Sequence, residues 1–525
     1  MAFDPWTKVS DVPLGKTAGI LGLLVSTVRG TQPTSIRFGL TRQQYLAYYV
    51  IYAAYAVTLS PLAKVPGPVA RKVSYLPCVI MNMRGRESHA VRDLHRKYGP
   101  VVRVNPEMVS FTGPTAWKEI YGYPGVKKFK KFGYRELRPG VPDLLTANGA
   151  DHARQRAALN RAFSEKALRE QEHLFQEHID LFLSRLDEKC GESEPPLNIT
   201  QWIEFLAFDI IGTLAFSSSF HCLEDRGYHP WVLLLLNFFK STHYVLAARM
   251  CGIFFPLVLA LGPIRDLRKG EEHLRRSYAK VQERIKMPED DKRHDFWTYI
   301  SRQNEQKEGS MSVEEMEVNA ALLIPAGSDT IATAFAGCLY LLLKHPATLT
   351  RLRQELEAEF RSEADITMAR LAGLPYIRAV VDEALRMYPP ISGELRRAVP
   401  AGGAVVCGHL IPGDTIISVY ALASCDNASN FARPKQFTPE RWLTTDERPD
   451  WARNDHLEAS QPFSVGPRNC IGMGLAYAET KLILARLLFR YDLDLLDDEF
   501  NIENQKVYVM WQKPPLSVNL RRRAV

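Results

Sequence analysis

The eight cysteines of this 525-residue chain are scattered, and no two stand close enough for a zinc knuckle or a redox CxxC pair. Nothing in their spacing suggests a disulfide scaffold, so the sequence indicates a reducing compartment. From Val65 onward the chain also lacks Gly/Ser-rich linkers and low-complexity breaks. This absence predicts one large catalytic body, residues 63–525, instead of a string of domains.

A strong excess of one charge is also missing, because 66 basic and 59 acidic residues leave a net charge of +7. Basic runs occur at residues 127–131 (KKFKK) and 521–523, and no nucleic-acid-binding motif accompanies either run. We expect solvated loop and tail charges there and no nucleic-acid partner, while a basic face for an acidic protein or a membrane surface stays open. An apolar fraction of 46% excludes a disordered chain.

Long uncharged runs are rare. Residues 45–62, YLAYYVIYAAYAVTLSPL, form one that is rich in tyrosine and long enough for a transmembrane anchor. It lies too far from the start for a cleaved signal peptide, and residues 1–44 before it have no assigned role. Basic residues balance on its two sides, so charge does not decide the orientation. A second apolar stretch, residues 244–262, contains Arg249 and Pro256 and favours a helix pair on the body or at the membrane surface over a second span.

The remaining pattern is predominantly helical with small antiparallel β-sheets. Residues 151–286 read mostly as helix, VVRVNPEMVSF reads as a strand pair, and short β runs with Gly and Pro turns follow residue 399 and close the chain. The longest predicted helix begins after Ser312, with Glu315 completing a capping box, and continues to Lys344. It is apolar on nearly every face, yet it carries PAGSDT (residues 325–330) into the core, where Pro and Gly weaken the helical ladder.

A single cysteine stands at the start of a second predicted helix, in FSVGPRNCIG (residues 463–472). Gly466 and Gly472 allow close approach of another group, and Phe463 offers an aromatic wall. Backbone N–H groups at the helix start favour a thiolate at Cys470, and Arg468 is suited to bind an anion beside it. The set is typical of a sulfur ligand to a metal cofactor that itself carries carboxylates.

On these residues the chain resembles the cytochrome P450 family, from PLAKVPGP to the C-terminus. Further motifs occur in the family's order: HARQR (residues 152–156), AGSDT (326–330), EALR (383–386) and PERW (439–442). The resemblance implies the cytochrome P450 fold, with a long distal helix over haem b and the Cys loop on the proximal side. Pro325 departs from the family pattern, which has an aliphatic residue there, and is expected to deepen the distal kink or reshape the substrate pocket.

The resemblance also implies residue roles. Cys470 is the axial metal ligand, and Thr330 and Asp329 are the catalytic pair that positions dioxygen and relays protons. The expected partners of the haem propionates are His152, Arg156, Arg397 and Arg468. The other expected haem contacts are Phe463, Gly466, Gly472, Ala326 and Gly327. The residues expected to hold the fold behind the haem are Glu383, Arg386 and Arg441.

The function implied is a membrane-anchored monooxygenase that inserts one oxygen atom from O2 into an apolar small molecule. Electrons come from NADPH through cytochrome P450 reductase, with cytochrome b5 as an optional second donor. Likeness to fungal microsomal members suggests a polyketide, terpenoid or alkaloid substrate and a single anchor in the endoplasmic reticulum membrane, with the catalytic domain facing the cytosol. Two alternatives stay open: a haem-thiolate isomerase or dehydratase that uses no external O2, and a haem protein that binds a ligand without turnover.

Overall fold

The computed structural model describes residues 42–134, 136–191, 195–250, 267–288, 294–305 and 311–523. The segment 1–44 lies outside these ranges except for its last three residues, and the predicted helix pair at 244–262 lies outside them from residue 251 onward. In the described parts the helices are α1 (Arg42–Thr58), α2 (Val69–Val73), α3 (Leu76–Met83), α4 (Glu87–Tyr98), α5 (Ala116–Tyr121), α6 (Tyr123–Lys128), α7 (Gly149–Asn160), α8 (Glu165–Asp187), α9 (Ile199–Phe216), α10 (Cys222–Asp225), α11 (Pro230–Arg249), α12 (Leu267–Ile285), α13 (Phe296–Glu305), α14 (Val313–Lys344), α15 (Pro346–Glu359), α16 (Met368–Ala372), α17 (Pro375–Met387), α18 (Ala421–Cys425) and α19 (Met473–Arg490).

The strands are short and lie at the edges of this helical body. They are β1 (Val101–Asn105), β2 (Met108–Phe111), β3 (Lys130–Lys131), β4 (Leu197–Asn198), β5 (Arg397–Ala398), β6 (Ala404–Val406), β7 (His409–Ile411), β8 (Ile416–Val419), β9 (Tyr491–Leu495), β10 (Lys506–Tyr508), β11 (Met510–Gln512) and β12 (Ser517–Arg522). The largest sheet has the order β1-β2-β8-β5-β3, and a three-stranded sheet has the order β4-β12-β9. The prediction of antiparallel sheets needs one correction, because β2 pairs with β8 in parallel register. The helical chain between these two strands makes the long crossover that a parallel pair requires.

The longest helix, α14, has the start and end that the sequence predicts. The Oγ atom of Ser312 accepts a hydrogen bond from the backbone N–H of Glu315 (3.1 Å), and a Glu315 carboxylate oxygen accepts one from the N–H of Ser312 (3.0 Å). Thirty-two residues give a length of about 48 Å. The helix runs through Pro325 without interruption and packs against α9. A Cβ atom at Gly327 would lie 2.6 Å from the Cδ1 atom of Ile211, so the glycine permits this close packing.

The predicted anchor coincides with α1, which starts three residues earlier and ends four residues sooner than residues 45–62. Leu46 and Leu59 are 67% and 77% exposed, whereas Ala56 is buried and its carbonyl accepts a hydrogen bond from Arg103 (2.9 Å). Helices α9 and α14 are long and apolar enough to cross a membrane, but both are mostly buried within the protein. Their apolar composition is therefore explained by packing in the core.

Candidate functional site

The Cys loop folds back on itself directly before α19. The backbone N–H of Cys470 donates to the carbonyl oxygen of Phe463 (2.8 Å), and the Phe463 ring packs on Tyr477 with the ring centroids 5.0 Å apart. Gly466 has φ +77°, and a Cβ atom there would lie 2.5 Å from the carbonyl oxygen of Tyr121. Both the left-handed backbone and the tight contact require glycine at this turn. The loop thus presents Cys470 in a fixed position at the start of α19.

The thiol of Cys470 is accessible yet surrounded by protein, as expected for a side chain that lines a deep cleft. These surroundings raise the pKa of Cys470, while the N–H of Gly472 and the charge of Arg156 act to lower it. The predicted influence of the helix start on the sulfur is present, but burial outweighs it. A thiolate at this position is favoured by a metal cation bound to the sulfur.

One stripe of α14 is accessible although the helix is otherwise buried. We call it the open stripe; its members follow helical spacing and include Leu323, Ala326, Gly327, Thr330 and Ala334. The Thr330 hydroxyl donates to the carbonyl oxygen of Ala326 (2.6 Å) and is exposed. An accessible stripe on a helix that is mostly buried indicates space for a ligand beside the stripe.

Asp329 does not share the face of Thr330. It is buried and pairs with the ammonium group of Lys513, which lies in the turn after β11. The same ammonium group lies 3.2 Å from a carboxylate oxygen of Glu204 on α9. Of the predicted catalytic pair, the structure therefore brings only Thr330 to the open stripe, and it encloses Asp329 in a buried ion pair.

Four basic residues lie near enough for their charges to act on one another, and we call them the basic cluster: Lys131, His152, Arg397 and Arg468. Burial lowers the pKa of His152 to about 4, with Arg468 and Lys131 contributing. Burial likewise lowers the pKa of Lys131 to about 7, with Arg468 and Arg397 contributing. In the described part of the chain none of the four forms an ion pair with a carboxylate. Such a cluster is suited to a ligand with two anionic groups.

Arg156, the remaining predicted propionate partner, has a different set of contacts. Its guanidinium donates to the backbone oxygen of Asn469 (2.6 Å) and to the side-chain oxygen of the same residue (2.9 Å). Arg156 therefore ties α7 to the residue that precedes Cys470. Its role toward the haem stays a prediction.

The basic run at 127–131 needs a correction. Lys127, Lys128 and Lys130 are exposed, as expected of solvated charges, but Lys131 turns inward and its ammonium group donates to the carbonyl oxygen of Leu145. The run was therefore misread at its last residue. The strand β3, which alternates sides, puts Lys130 outside and Lys131 inside.

The three residues predicted to form a structural triad contact one another, and their role behind the cofactor stays a prediction. Arg386 lies on α17 one turn after Glu383 and donates to its carboxylate (2.8 Å), and Arg441 donates to the same carboxylate (2.9 Å). Sequence reasoning missed two further members: the indole N–H of Trp442 donates to Glu383 (2.9 Å), and Asp455 pairs with Arg441. Burial acts to raise the pKa of Glu383, but the guanidinium groups of Arg386 and Arg441 hold this pKa below its usual range.

These residues fit a haem. An accessible cysteine sulfur, an accessible stripe on a core helix and a basic cluster without carboxylate partners are what the iron, the porphyrin face and the two propionates require. At Gly472 a Cβ atom would make ordinary contacts with Phe163 (3.8 Å) and the Cys470 sulfur (4.0 Å), and at Gly327 it would meet Ile211. The expected contacts of both glycines with the cofactor stay predictions.

The similarity to known proteins covers nearly the whole described chain. A family profile described as Cytochrome P450 matches residues 71–520. Cytochrome P450 monooxygenase astJ of Aspergillus oryzae is 39% identical over 475 residues, covering 90% of this chain and 94% of the relative. Trichothecene C-15 hydroxylase of Fusarium sporotrichioides is 37% identical (90% and 96%), and averantin hydroxylase of Dothistroma septosporum is 36% identical (90% and 89%).

Proposed function

We infer the function from one premise: the chain belongs to the cytochrome P450 family, whose members bind haem through a cysteine thiolate. It is a cytochrome P450 monooxygenase that uses O2, a redox partner and a small-molecule substrate. We propose Cys470 as the axial ligand and Thr330 as the hydroxyl at the reacting side. The observation that carries the proposal is the exposed Thr330 hydroxyl on the open stripe of an otherwise buried helix.

Haem held by a thiolate supplies the activation of dioxygen. The chain's own residues supply binding, orientation and protons. The basic cluster would hold the propionates, and Phe463 and Gly466 would shape the loop under the ring, with Ala326 leaving room on the opposite side. Thr330, whose hydroxyl is turned to the carbonyl of Ala326, would reorient toward dioxygen and donate to it.

The substrate is proposed to be an apolar small molecule of secondary metabolism. The relatives include an averantin hydroxylase and a trichothecene C-15 hydroxylase, which supports a ring-bearing polyketide or terpenoid as the substrate class. The open stripe itself consists of Leu, Ala and Gly residues beside the single hydroxyl of Thr330. Few polar groups among apolar ones are typical of a site that binds an apolar ligand.

We further propose that residues 45–62 anchor the catalytic domain, residues 63–525, in the endoplasmic reticulum membrane with the domain in the cytosol. The exposed apolar side chains of α1 support this proposal. Electrons would then come from NADPH through the membrane-bound cytochrome P450 reductase, with cytochrome b5 as an optional donor.

A variant of Thr330 and a control variant of Ser328, both on α14, test the proposal. Thr330 and Ser328 both donate to the carbonyl oxygen four residues earlier, but Ser328 is buried and Thr330 lies on the open stripe. With reductase and a compound that shifts the haem spectrum, Thr330→Ala should lose product by about a hundredfold and release hydrogen peroxide, whereas Ser328→Ala should not. Product formed without NADPH or O2 would instead support the isomerase alternative, and a spectral shift without any turnover would support the ligand-binding alternative.

A further inference from the structure

Four side chains from separate parts of the chain form a continuous buried contact that ends at Asp329. The hydroxyl of Tyr228 donates to one oxygen of the Glu204 carboxyl group. The other oxygen of Glu204 lies 3.2 Å from the ammonium group of Lys513, which in turn donates to Asp329. The Lys513, Glu204 and Asp329 side chains are 3%, 9% and 8% exposed.

The charges in this contact do not cancel if every group is ionised. Two carboxylates and one ammonium group would leave a net negative charge in the core, which is costly. Burial raises the pKa of Glu204 and the Asp329 charge adds to this, although Lys513 opposes it. The cluster is neutral when the two carboxyl groups share one proton.

The two ends of this contact differ in their access to solvent. Tyr228 precedes α11 and is partly exposed, whereas Asp329 precedes Thr330 on α14. The Thr333 hydroxyl also accepts from Lys513 (3.2 Å), and the charges of Asp329 and Glu204 act on the phenol of Tyr388. The series of contacts therefore runs from the partly exposed phenol of Tyr228 to Asp329, which directly precedes Thr330 in the sequence.

We propose that Tyr228, Glu204 and Lys513 are the proton entry path to Asp329, an inference that rests on the proposed function. Lys513 gives a proton to Asp329 and regains one from Glu204, so one N–H bond and one O–H bond break while another of each forms. Glu204 is reprotonated from solvent through Tyr228. When Asp329 is neutral, Glu204 carries the negative charge that balances Lys513, and the cluster stays neutral when Glu204 regains its proton through Tyr228 as Asp329 passes its own proton on. Lys513 and Glu204 are positioning residues, since they act through Asp329.

Infrared spectroscopy of the ferric holoenzyme tests the shared proton without turnover. A protonated carboxyl band should be present at neutral pH and should exchange in D2O. Burial raises the pKa of Glu479 to about 8, so Glu479 contributes a second band, and the component lost in Glu204→Gln is the one assigned to the shared proton. This component should persist in a variant at an unrelated buried lysine, Lys481→Met, whose ammonium group donates to the carbonyl of Leu371 (2.9 Å). A carboxyl absorption that is unchanged in Glu204→Gln would overturn the proposal.

Turnover tests the direction of the path. With reductase and O2 and no added substrate, Lys513→Met should slow NADPH oxidation on the order of tenfold and increase its solvent isotope effect, a smaller loss than removal of a direct acid causes. Lys513→Arg should restore most of the rate, and Lys481→Met should keep the wild-type isotope effect. An unchanged rate and isotope effect in a folded Lys513→Met holoenzyme would overturn the path, whereas an inactive wild-type enzyme would instead contradict the proposed function.

Discussion

Two charged sites flank the candidate haem pocket, and they are built in opposite ways. In the triad, the Glu383 carboxylate accepts hydrogen bonds from Arg386, Arg441 and Trp442. Asp455 pairs with Arg441. In the basic cluster, burial lowers the pKa of Lys131, His152 and Arg468, and the neighbouring positive charges lower it further. The triad is complete within the chain, whereas the basic cluster calls for an external anion.

This difference distinguishes a site that holds the fold together from a site that binds a ligand, and it can be read from this chain alone. Charges that are buried and fully paired hold elements together, and removing one member leaves the others uncompensated. Charges that repel one another at a cleft are unfavourable in the chain alone and become favourable when an anion binds. Each of the following predictions tests one side of this comparison.

The largest stability effect is expected in the triad. Glu383→Gln keeps the shape of the side chain but leaves the buried guanidinium of Arg386 without its carboxylate and leaves Arg441 with Asp455 alone, so we expect a loss of about 3–5 kcal/mol in the free energy of unfolding. Denaturant unfolding of the holoprotein measures it. Glu359→Gln, which breaks an exposed pair with Arg370, is the matched control and should cost less than about 1 kcal/mol. Equal losses in the two variants would show that the triad is not a structural site.

The next effect is expected in the basic cluster and has a different signature. Arg468→Met removes one charge-assisted hydrogen bond to a propionate, so haem should transfer to apomyoglobin about tenfold to a hundredfold faster. The apoprotein should lose about 1 kcal/mol or less, because the variant removes the hydrogen bond that Arg468 donates to the carbonyl oxygen of Ala147 (2.9 Å) but also removes repulsion from Arg397. The exposed Arg361→Met serves as the control and should leave haem transfer unchanged. A destabilised apoprotein with normal haem retention would assign Arg468 to the fold instead.

The smallest effect is a pH dependence of haem affinity. In the apoprotein the pKa of Lys131 is about 7, against about 10.4 for an unfolded chain. Between these values the unfolded chain binds more protons, so the stability of the apoprotein should rise with pH across this window. Propionates favour the protonated lysine, so haem binding takes up a proton above pH 7 and haem affinity should fall as pH rises, by at most about tenfold per unit.

Two adjacent lysines provide the comparison for this pH effect. Lys131→Met should flatten the dependence of haem affinity on pH, and Lys130→Met, which changes an exposed neighbour, should preserve it. Haem affinity that does not change between pH 7 and 9 in the wild-type protein would contradict the placement of Lys131 beside the propionates.

Much of the fold was predictable because local signals agreed with the global structure. The capping box at Ser312 and Glu315 and the start of α19 at Met473 follow directly from the sequence. The Glu383–Arg386 pair was predictable because the two residues stand three apart on one helix, whereas Arg441, 58 residues away, was implied by the resemblance of PERW to the family motif. In each case the partners are close in sequence or belong to a motif with a fixed spacing.

The missed residues have partners that are remote in the chain. Lys513 lies 184 residues from Asp329, and nothing in KPPL indicates that its ammonium group enters the core. Lys131 could have been separated from its exposed neighbours only by recognising the two-residue strand β3. Asp455 lies 14 residues beyond Arg441 across irregular chain, where no periodicity predicts a contact.

The ligation of the haem iron by Cys470 is the central claim, and the reduced carbon-monoxide difference spectrum tests it most directly. The wild-type holoprotein should show the band characteristic of thiolate ligation, and Cys470→His should bind haem without that band. Cys425→Ser, at a buried cysteine on α18, should retain it. Persistence of the thiolate band in Cys470→His would contradict the account.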